Sequence, residues 1–147
     1  MQNITPEQFL AEAKSWLGTA YHHQGRLKKS DSHHKGGVDC IGLVVGICRE
    51  LGMDEIVRVD KTDYSPHPTG NRLALVAGDH LKLIDYRNKQ PADILLFKTF
   101  KDHQHVGVLT GDNHFIHCNS SAGKVVQQPL SKTWERMITH VFRFKNF

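Results

Sequence analysis

The chain has 147 residues, with 19 lysines and arginines against 15 aspartates and glutamates, a net charge of +4 and 39% hydrophobic residues. That length exceeds what an independent core needs and falls short of two ordinary domains, so one domain over residues 1–147 is expected. No apolar run approaches the ~20 residues of a membrane helix, the charge excess is too small for disorder, and the basic residues are scattered rather than gathered in the stripe that nucleic acid requires.

At the start of the chain, Met1-Gln2-Asn3-Ile4 has neither a basic stretch nor an apolar run, so no cleaved signal peptide is expected and synthesis into the cytoplasm is. Thr5-Pro6-Glu7-Gln8 then offers a helix N-cap, a proline at the first helical position and a glutamine three residues after the cap. Phe9, Ala13, Trp16 and Leu17 recur at helical spacing, and Gly18 stops the helix. Residues 21–37 are rich in His, Lys and Ser and end in Gly36-Gly37, which reads as an exposed loop. A second helix is expected from Asp39 to about Leu51, with Cys40, Leu43, Val44, Ile47 and Leu51 on one face. A turn-rich stretch at 63–70 precedes a short third helix over roughly 71–81.

From Pro91 onward the period changes. Five strand-like runs, at 94–97, 106–109, 115–118, 124–127 and 138–144, are punctuated by Gly111-Asp112-Asn113 and Ala122-Gly123 as hairpin turns. Helices first and an antiparallel meander second give an α+β fold, with the sheet packed on the buried face of the second helix.

The three cysteines, Cys40, Cys48 and Cys118, cannot all pair within one chain, and free thiols are expected. Cys40 has the most informative surroundings. Asp39 is a good N-cap, so Cys40 falls in the first helical turn, where unpaired N–H groups and the helix dipole favour a thiolate. The residues alone leave a second reading open, that of a small buried side chain starting a core helix. His105 opens a strand after a polar run, and His117 lies at the centre of the next. If those strands pair, the two rings approach each other and supply a base and an orienting partner for a thiolate. Either histidine alone reads as a solvated strand residue; their joint placement relative to Cys40 brings catalysis level with that reading.

Asp39-Cys40-Ile41-Gly42-Leu43-Val44 resembles the D-C-S-G-L-V signature of NlpC-type cell-wall cysteine peptidases. Pro91-Ala92-Asp93-Ile94-Leu95-Leu96-Phe97 resembles that family's P-G-D-L-V-F-F strand, His105-Val106-Gly107-Val108 its H-V-G-I strand, and Phe115-Ile116-His117-Cys118 its F-I-H-A segment, in the same order. The likeness is greatest to the phage-tail and prophage branch. The opening Ser15-Trp16-Leu17-Gly18-Thr19-Ala20-Tyr21-His22-His23-Gln24, the Tyr64-Ser65-Pro66 turn and the closing Phe142-Arg143-Phe144 all fit that branch. An aliphatic residue commonly follows the cysteine there, so Ile41 in place of serine is an expected departure. Ala92 departs from the family glycine, and a minor backbone adjustment is expected.

The resemblance implies a papain-like arrangement with Cys40 as nucleophile, His105 as general base and His117 as the residue orienting it. It places Tyr21 and Asp39 on the substrate and oxyanion side, and implies no cofactor and no metal. The implied substrate is a peptidoglycan stem peptide, cut between γ-D-glutamyl and a diamino acid. The implied setting is a phage or prophage tail, with tail proteins as partners. Two other readings stand beside it: a tail-assembly or wall-binding module that keeps the fold without turnover, and a thiol amidase, deamidase or acyltransferase with a non-wall substrate.

Other residues compete for attention. Cys48 and Cys118 read as structural, the latter pointing to the opposite sheet face from His117. His22, His23, His33 and His34 with Asp31 invite a metal reading, but they lack the spaced partner pair that zinc sites use, and a solvated substrate-facing loop is expected. His103, two residues before His105, is the rival for the base. Trp16 and Trp134 are expected in the core or beneath the cleft. No two acids fall in the arrangement that glycoside cleavage needs.

Overall fold

A computed structural model describes residues 3–31 and 35–147. Helix α1 (Pro6–Ser15) starts as its sequence dictates. The Thr5 hydroxyl accepts from the Gln8 N–H, and the Gln8 side chain accepts back from the Thr5 N–H, closing a capping box. Phe9, Ala13 and Trp16 are buried along its inner face.

The described residues of the 21–37 stretch are more organised than their composition implies. Strands β1 (Arg26–Leu27) and β2 (Gly37–Val38) form an antiparallel ribbon, and Val38 is buried. The ribbon leads straight into α2 (Cys40–Glu50), capped by the Asp39 carboxylate accepting from the Gly42 N–H at 2.8 Å. Leu43 and Ile47 of α2 are fully buried.

Helix α3 (Asp54–Arg58) has no counterpart among the expected elements, whereas α4 (Arg72–His80) lies where the third helix was expected. Strand β3 (Lys82–Ile84) is a further addition, followed by a single 3-10 turn. The five expected strands are all present as β4 (Ile94–Lys98), β5 (Gln104–Gly111), β6 (His114–Cys118), β7 (Val125–Pro129) and β8 (Ile138–Arg143). A second unexpected helix, α5 (Lys132–Met137), lies between the last two and is capped by the Ser131 hydroxyl.

The six strands form one antiparallel sheet in the order β3-β8-β4-β5-β6-β7. The expected meander therefore holds for β4 to β7 and fails for β8, which crosses back to pair with β4. One face carries Ile94, Leu96, Val106, Val108, Ile116 and Cys118 against α1 and α2. The other carries Leu95, Phe97, Leu109 and Phe115 beneath Trp134 of α5. Cys118 points to the α2 side, as alternation requires, and its thiol donates to the Val38 carbonyl.

Two motif residues find their reasons here. Asp93, fully buried, accepts from the Gln90 N–H and from the Arg143 guanidinium at 2.7 and 2.9 Å, fastening the turn before β4 to β8. Ala92 has a left-handed φ of 75°, a conformation that ordinarily favours glycine. In that conformation the alanine Cβ bears a strain of about 1 kcal/mol.

Candidate active site

Cys40, a half-buried residue, is the first of α2 and lines a cleft of about 320 Å³. Tyr21, Asp39, His105, Cys118 and Trp134 line the same cleft. The sequence-derived residues Cys40, His105, Tyr21 and Asp39 are thus brought together, and His117 stands one step behind them.

His105 Nε2 and His117 Nδ1 lie 2.8 Å apart, with the ring planes crossed at 82°. Strand pairing explains the contact. β5 and β6 run antiparallel with Leu109 opposite Phe115, so His105, Gly107, Leu109, Phe115 and His117 share one face. Gly107 lies between the two histidines. A Cβ there would come within 3.0 Å of the Phe115 ring and 3.4 Å of the His117 Cβ, so the bare backbone is what lets these rings settle over the strand. The Trp134 ring lies 5.8 Å from that of His105 and 5.1 Å from that of His117, closing the pair from the side away from α2. His117 Nε2 in turn meets Gln128 Oε1 of β7 at 2.6 Å. Gln128 was not singled out in the sequence, because a lone glutamine in an alternating strand carries no signal of its own.

His103, the rival base, stacks on His67 at the cleft rim with ring centroids 4.6 Å apart and takes no part in the His105–His117 pair. Cys48 is fully buried, as expected. Among the other histidines considered as ligands, His22 contacts the His23 carbonyl and His23 meets the Tyr64 ring edge-on; His33 and His34 lie outside the described residues.

Asp39 has its oxygens engaged by protein donors. Oδ1 accepts from the Gly42 N–H and Arg26 Nη1, and Oδ2 from the Gln24 N–H and the Tyr64 hydroxyl. The carboxylate assigned to the substrate side therefore secures the start of α2 and the loop before it. Arg26 also forks onto Asp60 through Nε and Nη2, at 2.9 and 3.1 Å. This network of Arg26, Asp39, Asp60 and Tyr64 gives the Tyr-Ser-Pro turn its physical role.

The electrostatics of the cleft correct one expectation. Burial pushes the Cys40 thiol up to about 12, and the adjacent Asp39 carboxylate adds to the shift; the backbone N–H groups of Val106, Ile41 and Cys40 oppose it without prevailing. A start-of-helix cysteine was expected to favour its thiolate, and here desolvation outweighs the helix terminus. Burial pulls the His105 imidazole down to about 3, with His117 adding to the effect. Burial likewise lowers His117, while the Gln128 contact opposes the shift. The resting site is a neutral thiol beside two neutral imidazoles.

Residues 18–143 match the NlpC/P60 family. The chain belongs to that family. It is 25% identical over 122 residues to the Escherichia coli protein named murein DD-endopeptidase MepS/murein LD-carboxypeptidase, an overlap of 82% of this chain and 53% of that protein. The chain thus spans about half the length of that curated relative. Among solved structures, an NlpC/P60 family protein from Bacillus cereus superposes with a TM-score of 0.69 at 18% identity, over 98% of this chain and 41% of that one. RipD from Mycobacterium tuberculosis, described as a non-catalytic NlpC/p60 domain protein adapted to peptidoglycan binding, gives a TM-score of 0.62 at 12% identity, over 97% of this chain and 98% of that one. At such identities these likenesses show the fold, and the expected papain-like α+β arrangement holds.

Proposed function

We propose that this chain is a cysteine peptidase that hydrolyses peptidoglycan stem peptides, with Cys40 as nucleophile, His105 as general base and His117 as its orienting partner. The observation that carries the reading is the 2.8 Å His105–His117 contact in the cleft that Cys40 opens onto. A buried imidazole pair beside a helix-start thiol is the constellation that nucleophilic amide hydrolysis requires. Membership of a family that contains a murein endopeptidase supports the substrate class.

The chemistry follows from a neutral resting pair. As the Cys40 sulfur attacks the amide carbonyl, its proton passes to His105, so no free thiolate accumulates beforehand. In this reading the backbone N–H of Cys40 holds the tetrahedral oxyanion, a contribution of about 3 kcal/mol per donor in comparable sites. Tyr21 lines the same cleft. Protonated His105 returns the proton to the leaving amine, releasing it and leaving a thioester. Water then attacks the thioester, gives a proton to His105, and the sulfur recovers it as the carboxylic acid departs.

Within this reading, the bond is the one between γ-D-glutamyl and a diamino acid. The setting is a phage or prophage tail, where a protein made in the cytoplasm joins tail proteins and cuts the wall locally. The motifs at 15–24, 64–66 and 142–144 support that setting. The test is Cys40→Ala on purified muropeptides, with products read by mass spectrometry and the fold by circular dichroism. Loss of hydrolysis in a folded variant is expected; turnover at the wild-type rate removes the nucleophile assignment.

One observation favours a second reading. The raised thiol and the lowered imidazole make a poor standing nucleophile, and RipD is described as a binding protein on this fold. A wild-type protein that retains muropeptides without cleaving them would decide for that module. Cleavage of a protein amide with muropeptides left intact would decide for a non-wall amidase.

A further inference from the structure

We propose that Gln128 is a positioning residue of this site: its amide oxygen fixes the tautomers of both histidines so that His105 keeps a bare Nδ1 for the Cys40 proton. The proposal rests on the cysteine-peptidase reading for its consequence, but its geometry stands without it.

The argument is one of proton order along two short contacts. A neutral imidazole has one N–H donor and one bare acceptor nitrogen. The Gln128 Oε1 can only accept, so at 2.6 Å it requires the proton of His117 on Nε2. His117 Nδ1 is then bare, and the 2.8 Å contact requires His105 to donate from Nε2. His105 Nδ1 is left without a proton, which is the state a general base needs. Reversing the amide inverts every step. A donating Gln128 Nε2 would call for a bare His117 Nε2, a proton on His117 Nδ1, and finally a proton on His105 Nδ1, where it blocks transfer from the thiol. Protonating His117 fully would either set two N–H groups against each other or drive the His105 proton onto Nδ1, and the burial that keeps both rings neutral works against that state.

Sheet geometry makes the chain of contacts rigid. His105, His117 and Gln128 come from the neighbouring strands β5, β6 and β7. Gln128 pairs opposite Phe115, two residues along from His117, so its side chain rises from the same face and reaches across by one diagonal step. A residue of this kind touches neither the reacting atoms nor the nucleophile, and acts through His117 alone.

Ring-15N-labelled histidine in the full chain, observed by two-bond 1H–15N correlation at pH 7, reads the tautomers directly. Single His105→Gln and His117→Gln variants assign the two rings. The expected result is Nε2–H on both His105 and His117. Gln128→Glu, an obligate acceptor when ionised, should keep that order and raise the titration of both rings. Gln128→Leu should mix the tautomers and lower kcat on muropeptides by about tenfold or more with little change in KM, the low end of what hydrogen-bond partners of metal-binding histidines are worth. Nδ1–H on either ring of the wild type, or unmixed Nε2–H in Gln128→Leu, overturns the proposal. The spectra remain readable if no muropeptide is cut, so failure of the peptidase reading is told apart from failure of this one.

Discussion

His105 and His117 meet edge to face across β5 and β6 with Nε2 and Nδ1 2.8 Å apart, and the partner beyond them is an amide rather than a carboxylate. An aspartate in that place would stabilise an imidazolium; a neutral ring does so weakly, and mainly holds the base in position. His117→Ala should therefore lower kcat on muropeptides on the order of a hundredfold while leaving KM nearly unchanged. Unchanged kcat would mean that His105 needs no partner.

Neutral resting groups set the pH behaviour. With His105 pulled down to about 3, the base stays unprotonated through mild acid, and kcat/KM should not fall between pH 7 and pH 5. An unshifted imidazole near 6.5 would already lose most of its base form at pH 5. With the thiol pushed up to about 12, alkylation of Cys40 by iodoacetamide should rise about tenfold per pH unit from pH 7 to pH 10, without a plateau. A pH-independent rate across that range would reveal a preformed thiolate and reverse the assignment.

The same shift couples folding to pH. His105 has a folded pKa of about 3, below its unfolded value near 6.5, so in that window the unfolded chain binds a proton that the folded chain does not. Its contribution to stability is full above pH 6.5 and is lost as pH falls toward 3, at up to about 1.4 kcal/mol per pH unit. His117, lowered for the same reason, acts in the same direction. Urea midpoints at pH 7, 5.5 and 4.5 should fall for the wild type and fall less steeply for His105→Gln. Equal slopes would show that His105 binds its proton alike in the folded and unfolded chains.

The legible parts of this structure are those whose causes are local. The capping box at Thr5, the N-cap at Asp39 and the short apolar runs of β4 to β7 with their turns each draw on residues a few positions apart, and each appears as expected. Cys40, His105 and His117 were legible as a set because four ordered motifs bracket them. Helices α3 and α5, of five and six residues, are too short to establish a period. The return of β8 to β4 comes with Trp134 of α5 seated on Phe97 of β4, a contact between residues far apart in the chain that no nearby residue announces. Arg26 was not singled out within the stretch expected as an exposed loop, because both its carboxylate partners are remote, 13 and 34 residues along.

That remoteness makes Arg26 a test of the network behind the nucleophile. Its side chain is 13% exposed, and it neutralises Asp39 and Asp60, whose side chains are 7% and 13% exposed. Arg26→Met keeps much of the volume and leaves two buried carboxylates without a cation, a loss of about 3–5 kcal/mol. Unfolding by urea at pH 7 reads it. Restoration by Arg26→Lys should be partial, because an ammonium cannot fork onto Asp60 through two nitrogens. A loss below about 1 kcal/mol would place the pair among surface ion pairs in energetic terms.

Two helical glycines separate packing from propensity. Alanine is worth about 1 kcal/mol more than glycine in a helix interior, whatever the helix. At Gly78 of α4 a Cβ would meet nothing within 4 Å, so Gly78→Ala should stabilise the protein by about 0.5–1 kcal/mol. At Gly46 of α2 the same atom would lie 2.3 Å from Cη2 and 2.7 Å from Cζ2 of Trp16. That ring is fully buried, and its Nε1 is tied to Glu12 at 2.8 Å, so it cannot simply swing aside. Overpacking of about 1–3 kcal/mol or more then outweighs the gain in propensity, and Gly46→Ala should destabilise the protein. It should also displace the helix that carries Cys40, lowering muropeptide turnover together with the thermal midpoint. If Gly46→Ala shifted stability in the same direction as Gly78→Ala, α2 would not be seated against Trp16.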